Sequence, residues 1–241
     1  MTRIATLPYQ QLTLAHALNS QRQMLDLQLQ VSSGKVARDY AGIAPDAQRL
    51  VSLESAHARA VQYLDNNALV TRRLETMETS ISQIYDTASR FRTLLVNALN
   101  SNNAGDLAIA SEAGNFKKEV ANLLNVDIEG RYLFAGSRTD VKPVDLNGWT
   151  PPAMPLTPPL TPYANQYYKG DGVILAAEAD TALSVNYGIA ASESAFEYVL
   201  RAMHYVELTG SAPDRATLET ALALLNTALG TETPNAALGA N

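Results

Sequence analysis

The stretch METSISQIYDTASRFRTLLVNA, residues 77–98, decides how the chain is read. Met77, Ile81, Ile84, Ala88, Phe91, Leu95 and Ala98 follow one another by alternate steps of four and three. That is heptad spacing, the pattern of a helix whose apolar seam packs against another helix. Plain core packing within a helical bundle accounts for it and calls for no special role.

Prolines fall at 8 and 45, and the next is Pro143. A proline-free span of that length with sustained apolar spacing predicts long helices. The helix that carries the heptads is expected to start near Pro45-Asp46. Proline is well tolerated in a first turn, and an Asp there complements the positive end of the dipole. It is expected to run to about Asn100. NSNNAGD, residues 100–106, then reads as a turn in which Asn103 or Asp106 caps the next helix. That third helix reaches about Asn125, with Ala113, Phe116, Val120 and Leu123 on one face. Two long helices with a short connection predict an antiparallel hairpin.

Upstream, Leu7 to Ser33 reads as a first helix. Leu7, Leu18 and Leu29 are eleven residues apart, with Leu14 and Leu25 in a parallel series. Eleven residues make three turns at about 3.67 residues per turn, so the stripe runs almost straight along the helix. The back of this helix is Gln, Ser, Asn and Arg, and one leucine seam with so polar a back needs a partner helix. Gly34, in SSGK (Ser32 to Lys35), supplies the C-terminal stop.

Downstream of the third helix stands GRYLFAGSRTD, residues 130–140. Gly130 is read as the end of that helix and Tyr132 to Phe134 as a short strand. Seven prolines between 143 and 162 predict an exposed, partly extended loop. Residues 167–188 read as a hairpin with its turn at Gly170-Asp171-Gly172. Two further helices follow, Ser192 to Leu208 with Phe196, Val199, Leu200 and Met203, and Ala216 to Leu229 with Leu218, Leu222, Leu225 and Leu229.

The fold class expected is mainly α, an elongated bundle of long antiparallel helices with a small β-hairpin/loop insertion. The expected segments are a terminal helix and loop at 1–43, a helical rod at 44–137 and 191–230, an outward insertion at 138–190, and the start of a C-terminal region at 231–241.

Composition narrows the function. Aromatics make up 7% of 241 residues, with Trp149 the single tryptophan, as suits helices that bury narrow stripes rather than thick cores. The net charge of −6 comes without a basic stripe, which argues against nucleic acid and against an anionic membrane surface. Arg72-Arg73 and Lys117-Lys118 read as solvated pairs. The chain has no cysteine, which excludes disulfides and thiolate chemistry. The N-terminus lacks the apolar core of a cleavable signal, and no run approaches the roughly 20 apolar residues of a membrane span.

Catalytic, cofactor-binding and metal-ligating residues are expected to be none. His16, His57 and His204 are far apart, and a lone His on a helix is ordinarily a surface or packed residue. KGDG around Asp171 lacks the Asp/Asn ladder of a calcium loop. The carboxylates show no obvious pairing along the helices. The chain is not expected to be an enzyme.

Several segments together resemble the flagellins and flagellar hook-associated proteins. In that family a helix ends in Ser-Ser-Gly-Lys, here with Ser33 and Gly34; a proline-containing loop follows, here with APDA (Ala44 to Ala47) as a partial match. A long helix with an Asn in mid-length comes next, here Asn66 or Asn67. GRYLFAGSRTDVKPV looks like the Tyr-Leu-Phe-Ala-Gly motif of the hook-filament junction branch, carried by Tyr132, Leu133, Phe134 and Gly136. YKGDG at 168–172, with Gly170 and Asp171, resembles that branch's Tyr-x-Gly-Asp turn, and AFEYVLRAM at 195–203 its C-terminal helix.

The resemblance implies a structural component of the bacterial flagellum that joins hook to filament by helical subunit packing. It implies export through the flagellar type III channel without a cleaved signal and an extracellular place in the flagellum. Partners would be copies of itself, other hook-associated proteins, flagellin and an export chaperone. The packing interface would comprise Leu7, Leu14, Leu18, Leu25, Leu29, Met77, Ile81, Ile84, Phe91 and Leu95. Alternatives are a filament flagellin, major or minor, and a coiled-coil binding or adhesin module with no flagellar role. The family ends in a long C-terminal helix, whereas this sequence stops at NAALGAN, as a truncated chain or an unusual member would.

Overall fold

The computed structural model describes residues 6–37, 40–100, 108–151, 166–210 and 213–230. These fall into two compact units, Met1–Gln62 and Tyr63–Asn241. The expected turn at 101–106, most of the proline-rich loop (152–165) and the segment 231–241 lie outside the described residues.

The first unit holds helix α1 (Thr6–Ser33), a short 3-10 turn (Tyr40–Ile43) and the start of helix α2 (Ala47–Asn100). Gly34 closes α1 with φ of 65°, a left-handed conformation that glycine adopts without a Cβ penalty. The Tyr40 hydroxyl donates to Glu54 Oε2 at 2.9 Å and so ties the 3-10 turn to α2.

The second unit is a helical bundle of the remainder of α2, α3 (Ile109–Leu124), α4 (Ser194–Leu208) and α5 (Arg215–Leu229). Its core takes Met77, Ile84, Ala88, Phe91, Leu95 and Ala98 from α2, the heptad seam of the sequence, with Ile81 half-buried beside it. Phe91 meets Phe116 of α3 with ring centroids 5.7 Å apart, and the Thr87 hydroxyl donates to Glu119 at 3.1 Å. Residue numbers fall along α2 as they rise along α3, so the pair is antiparallel, as expected. Helix α4 packs against both α3 and α5 and is buried on almost every side from Ala195 to Val206. A helix buried all round is the centre of a bundle rather than a flank. Phe196, Val199, Leu200 and Met203 all lie in that core, as do Leu218, Leu225 and Leu229 of α5, with Leu222 half-buried. Asp214 caps α5 by accepting from Thr217 N at 3.2 Å.

Between α3 and α4 the chain differs in detail from its sequence reading. Helix α3 ends at Leu124 with Asn125 as its C-cap, in line with the expected reach to about Asn125, and Gly130 does not end it. The Asn125 side chain then acts like a strand edge, donating to Val144 O at 3.0 Å and accepting from Val144 N at 2.8 Å. Gly130 instead belongs to the turn between β1 (Asp127–Ile128) and β2 (Arg131–Tyr132). Glu129 and Gly130 both have positive φ, 55° and 75°, as a tight primed turn requires. The strand therefore stops at Tyr132. Leu133 and Phe134 lie past it in a turn, where they are buried.

The hairpin is β3 (Leu175–Asp180) with β4 (Leu183–Tyr187), turning at Thr181 and Ala182. Its turn is thus not Gly170-Asp171-Gly172, which serves elsewhere. Asn67, one of the two mid-helix asparagines, donates from Nδ2 to Ala179 O at 3.2 Å and holds the hairpin to α2.

Candidate assembly surface and motif clamp

The leucine seam of α1 is uncovered. Leu14, Leu18, Leu25 and Leu29 are 62%, 48%, 59% and 39% exposed. The side chain of Leu7 lies outside the described residues, although its backbone belongs to α1. Leu12, Met24, Leu27 and Val31 are exposed as well, so apolar side chains surround much of this helix. The early part of α2 continues the theme with Leu50, Val51 and Leu53. Monomeric proteins rarely leave so many large apolar side chains of one helix in water. By contrast Met77, Ile84, Phe91 and Leu95 find their partners inside the second unit.

The motif residues separated by more than thirty positions meet in one place. Gly136, with φ of 68°, sits so close to Asp171 that a Cβ there would lie 2.2 Å from Asp171 Oδ1 and 2.4 Å from its carbonyl oxygen. Gly170 is equally constrained, since its Cβ would come 2.3 Å from Ala135 O. Only glycine fits at these two contacts. The Asp171 carboxylate accepts from Ser137 N at 2.7 Å, from the Ser137 hydroxyl, and from Val173 N at 3.2 Å. Asp171 N donates to Ala135 O at 3.2 Å, and the Tyr168 hydroxyl donates to Asp171 O at 2.6 Å. The Arg138 guanidinium closes the rim on Lys169 O at 3.0 Å. Leu133 and Phe134 anchor the clamp to the core. Phe134 packs edge-on to Phe196 of α4, 6.2 Å between centroids, and its carbonyl accepts from Ala191 N at 2.9 Å.

The hydrogen bonds from the Ser137 side chain and backbone hold the Asp171 carboxyl below its ordinary range. Burial, reinforced by Asp171, pushes the Tyr168 phenol up to about 12. The clamp therefore keeps one charge state near neutral pH, as a structural joint should. Tyr168 is the tyrosine of the Tyr-x-Gly-Asp turn, whereas Ser137 carries no role in the sequence reading. Its signal lay in following Gly136, which shows only once the two motifs are known to touch.

Charges also occur where the sequence did not suggest them. Glu197 and Arg201, four apart on α4, are both fully buried and pair with each other, Arg201 Nε to Glu197 Oε1 at 2.5 Å. Burial raises the Glu197 carboxyl to about 7 against the opposing pull of Arg201. Arg90 pairs with Glu119 at 2.9 Å across α2 and α3. Lys117, read as solvated, is buried against His204 and Glu207. Several carboxylates thus form ion pairs that the sequence does not display, because their cations lie on neighbouring helices or are hidden in the core. Among the described residues no cluster of His, Asp and Glu could hold a metal ion, and no helix is long and apolar enough to cross a membrane.

Residues 4–139 match the family model of the bacterial flagellin N-terminal helical region. Flagellar hook-associated protein 3 of Salmonella typhimurium is 27% identical over 146 residues, 59% of this chain and 46% of that protein. Its Escherichia coli namesake is 27% identical over 128 residues, 52% of this chain and 40% of that protein. The likeness thus spans less than half the length of each curated relative. Among solved structures, Bacillus cereus FlgL superposes with a TM-score of 0.59 at 18% identity, covering 76% of this chain and 84% of its own. A Vibrio parahaemolyticus protein described as hook-associated gives 0.54 at 14% identity, covering 77% and 84%. At such identities the two structures speak for the shared fold.

Proposed function

The chain belongs to the bacterial flagellin N-terminal helical-region family, and from that premise we propose that it is a structural adaptor of the flagellum at the junction of hook and filament. The observation that carries this reading is the clamp: the Tyr132 to Gly136 motif and the Gly170-Asp171 turn form one joint, and the curated relatives matched by the chain are hook-associated proteins. The exposed leucine seam of α1, with Leu14, Leu18, Leu25 and Leu29, supplies the helical surface that packs on neighbouring subunits. Those neighbours are further copies of this chain, other hook-associated proteins and flagellin. The segment of about 138–190 faces outward from that assembly. Before assembly the chain passes through the flagellar export channel without a cleaved signal, escorted by a chaperone that shields the apolar helices. Its working site is extracellular, and its chemistry is packing rather than catalysis.

Deletion of the gene, followed by electron microscopy of the hooks, tests the reading. Bare hooks with flagellin released to the medium are expected. Intact filaments on the deletion strain would overturn the proposal. Immunogold label along the whole filament would instead assign the chain to the filament as a flagellin.

A further inference from the structure

Lys117 of α3 meets His204 and Glu207 of α4, and the His204 ring packs on the indole of Trp149. Lys117 Nζ lies 3.1 Å from His204 Nδ1 and pairs with the Glu207 carboxylate, whose Oε2 is 3.7 Å from the same ring nitrogen. An ammonium has only protons to give, so Nδ1 is the acceptor and the neutral ring carries its proton on Nε2. His204 is 8% exposed, and Nε2 is buried with no hydrogen-bond partner among the described residues. The imidazole packs at 5.2 Å from the Trp149 ring, which in turn stacks edge-on with Tyr167 at 5.3 Å. A proton added at Nδ1 would turn an acceptor into a donor facing an ammonium, leaving two cations to share one carboxylate.

We propose that this triad is an acid-released latch: uptake of one solvent proton at His204 Nδ1 breaks the bond from Lys117 Nζ, parts α3 from α4 at that level, and frees the Trp149 indole from its seat on the imidazole. The charges acting on the imidazole are those of Lys117 from α3 and Glu207 from its own helix. Arg201, one turn earlier on α4, is committed to Glu197. On α5, Arg215 and Glu219 pair with each other at the surface, and Arg92 of α2 is bonded to Asn226. Around Trp149, Asp145 accepts from Asn147 N, and the Tyr167 hydroxyl donates to Ala191 O.

Burial first, and then Lys117, hold the imidazole below its ordinary 6.5. The unfolded chain therefore takes up the proton first, and stability present above pH 6.5 is lost as pH falls below it. Glu197 acts in the opposite sense. Its raised carboxyl adds stability as pH falls from about 7 toward 4.5, so an acid loss in this range cannot come from it. His16 and His57 are exposed on α1 and α2.

Trp149 is the single tryptophan of the chain, so its fluorescence reads the latch directly. In the full chain, acidification from pH 8 to 5 is expected to change Trp149 emission with a titration midpoint below 6.5, and to lower the thermal midpoint relative to that of the His204→Gln variant, which carries the same Glu197 contribution. His204→Gln keeps an acceptor for Lys117 but does not titrate, so its Trp149 emission should stay flat over that range and its thermal midpoint should not fall, since the Glu197 contribution acts the other way. The same acid loss in H204Q would overturn the latch. Lys117→Met should move the wild-type midpoint up toward 6.5, and an unmoved midpoint would remove Lys117 from the device. An NMR titration of the wild-type imidazoles decides independently of how any variant folds: a His204 ring that titrates at or above 6.5 contradicts the proposal.

Discussion

Helix α1 and the second half of α2 carry the same kind of message and meet opposite fates. Both present a periodic apolar stripe, Leu14, Leu18, Leu25 and Leu29 on one and Met77, Ile84, Phe91 and Leu95 on the other. In α2 that stripe is covered by α3 and the rest of its bundle; in α1 it stands exposed. A hydrophobic period states that a helix face is to be covered, but not by what. Helix α1 also lacks an acidic residue in its first turn and a basic one in its last, so it draws no help from its dipole. An isolated helix of this kind is marginal in water, and its order depends on what packs against it.

The sharpest way to break the comparison is to cut into the covered stripe. Phe91 is fully buried and packs on Phe116. Phe91→Ala should lower the unfolding free energy of the chain by about 3–5 kcal/mol, read by urea denaturation with Trp149 fluorescence. A loss no larger than that of a surface substitution would mean that the α2 seam is not the core of the second unit.

Next in size is the joint between the motifs. Gly136→Ala must relieve a Cβ placed 2.2 Å from the Asp171 carboxylate while holding a left-handed φ of 68°. The left-handed backbone alone costs a non-glycine residue about 1–2 kcal/mol. Displacing Asp171 also gives up its hydrogen bonds from Ser137. The variant should unfold at lower urea, and trypsin should cut faster after Lys169, whose backbone is held by Pro143 and Arg138. Unchanged cutting would show that the clamp does not hold this loop.

These sites also mark how far the sequence could be read. The four-three spacing placed α2, and the leucine and aromatic runs placed α3, α4 and α5, because burial of one face repeats at helical period. The short strands were misplaced for a local reason. Asn125 and the Glu129-Gly130 turn end and reverse the chain through hydrogen bonds and positive φ that the composition of GRYLFAG does not display. Gly170-Asp171-Gly172 looked like a hairpin turn, since glycine and aspartate favour turns of many kinds. Its partner, Gly136, is thirty-four residues from Gly170, and only the folded contacts show why both positions need glycine. The buried Glu197–Arg201 pair was hidden because an i, i+4 pair of opposite charge ordinarily reads as a solvated helix face. Whether α4 is solvated or central depends on α3 and α5, which no local pattern of α4 encodes.

The smallest stability effect separates the two regions most cleanly. Leu18 is 48% exposed on α1. Leu18→Ala deletes an uncovered side chain and substitutes the strongest helix former, so neither lost burial nor lost propensity weakens the lone chain. The unfolding midpoint of the isolated chain should stay within about 0.5 kcal/mol of wild type. Attachment to hooks should nevertheless fall, because an assembled neighbour would cover the face that the mutation erodes. The two measurements answer different questions. A drop in lone-chain stability comparable to that of Phe91→Ala would mean that the seam is already covered within the chain, and the contrast between the helices would vanish. A stable variant that still attaches normally would leave the contrast intact and move the assembly surface off this seam, towards Leu50, Val51 and Leu53 of early α2.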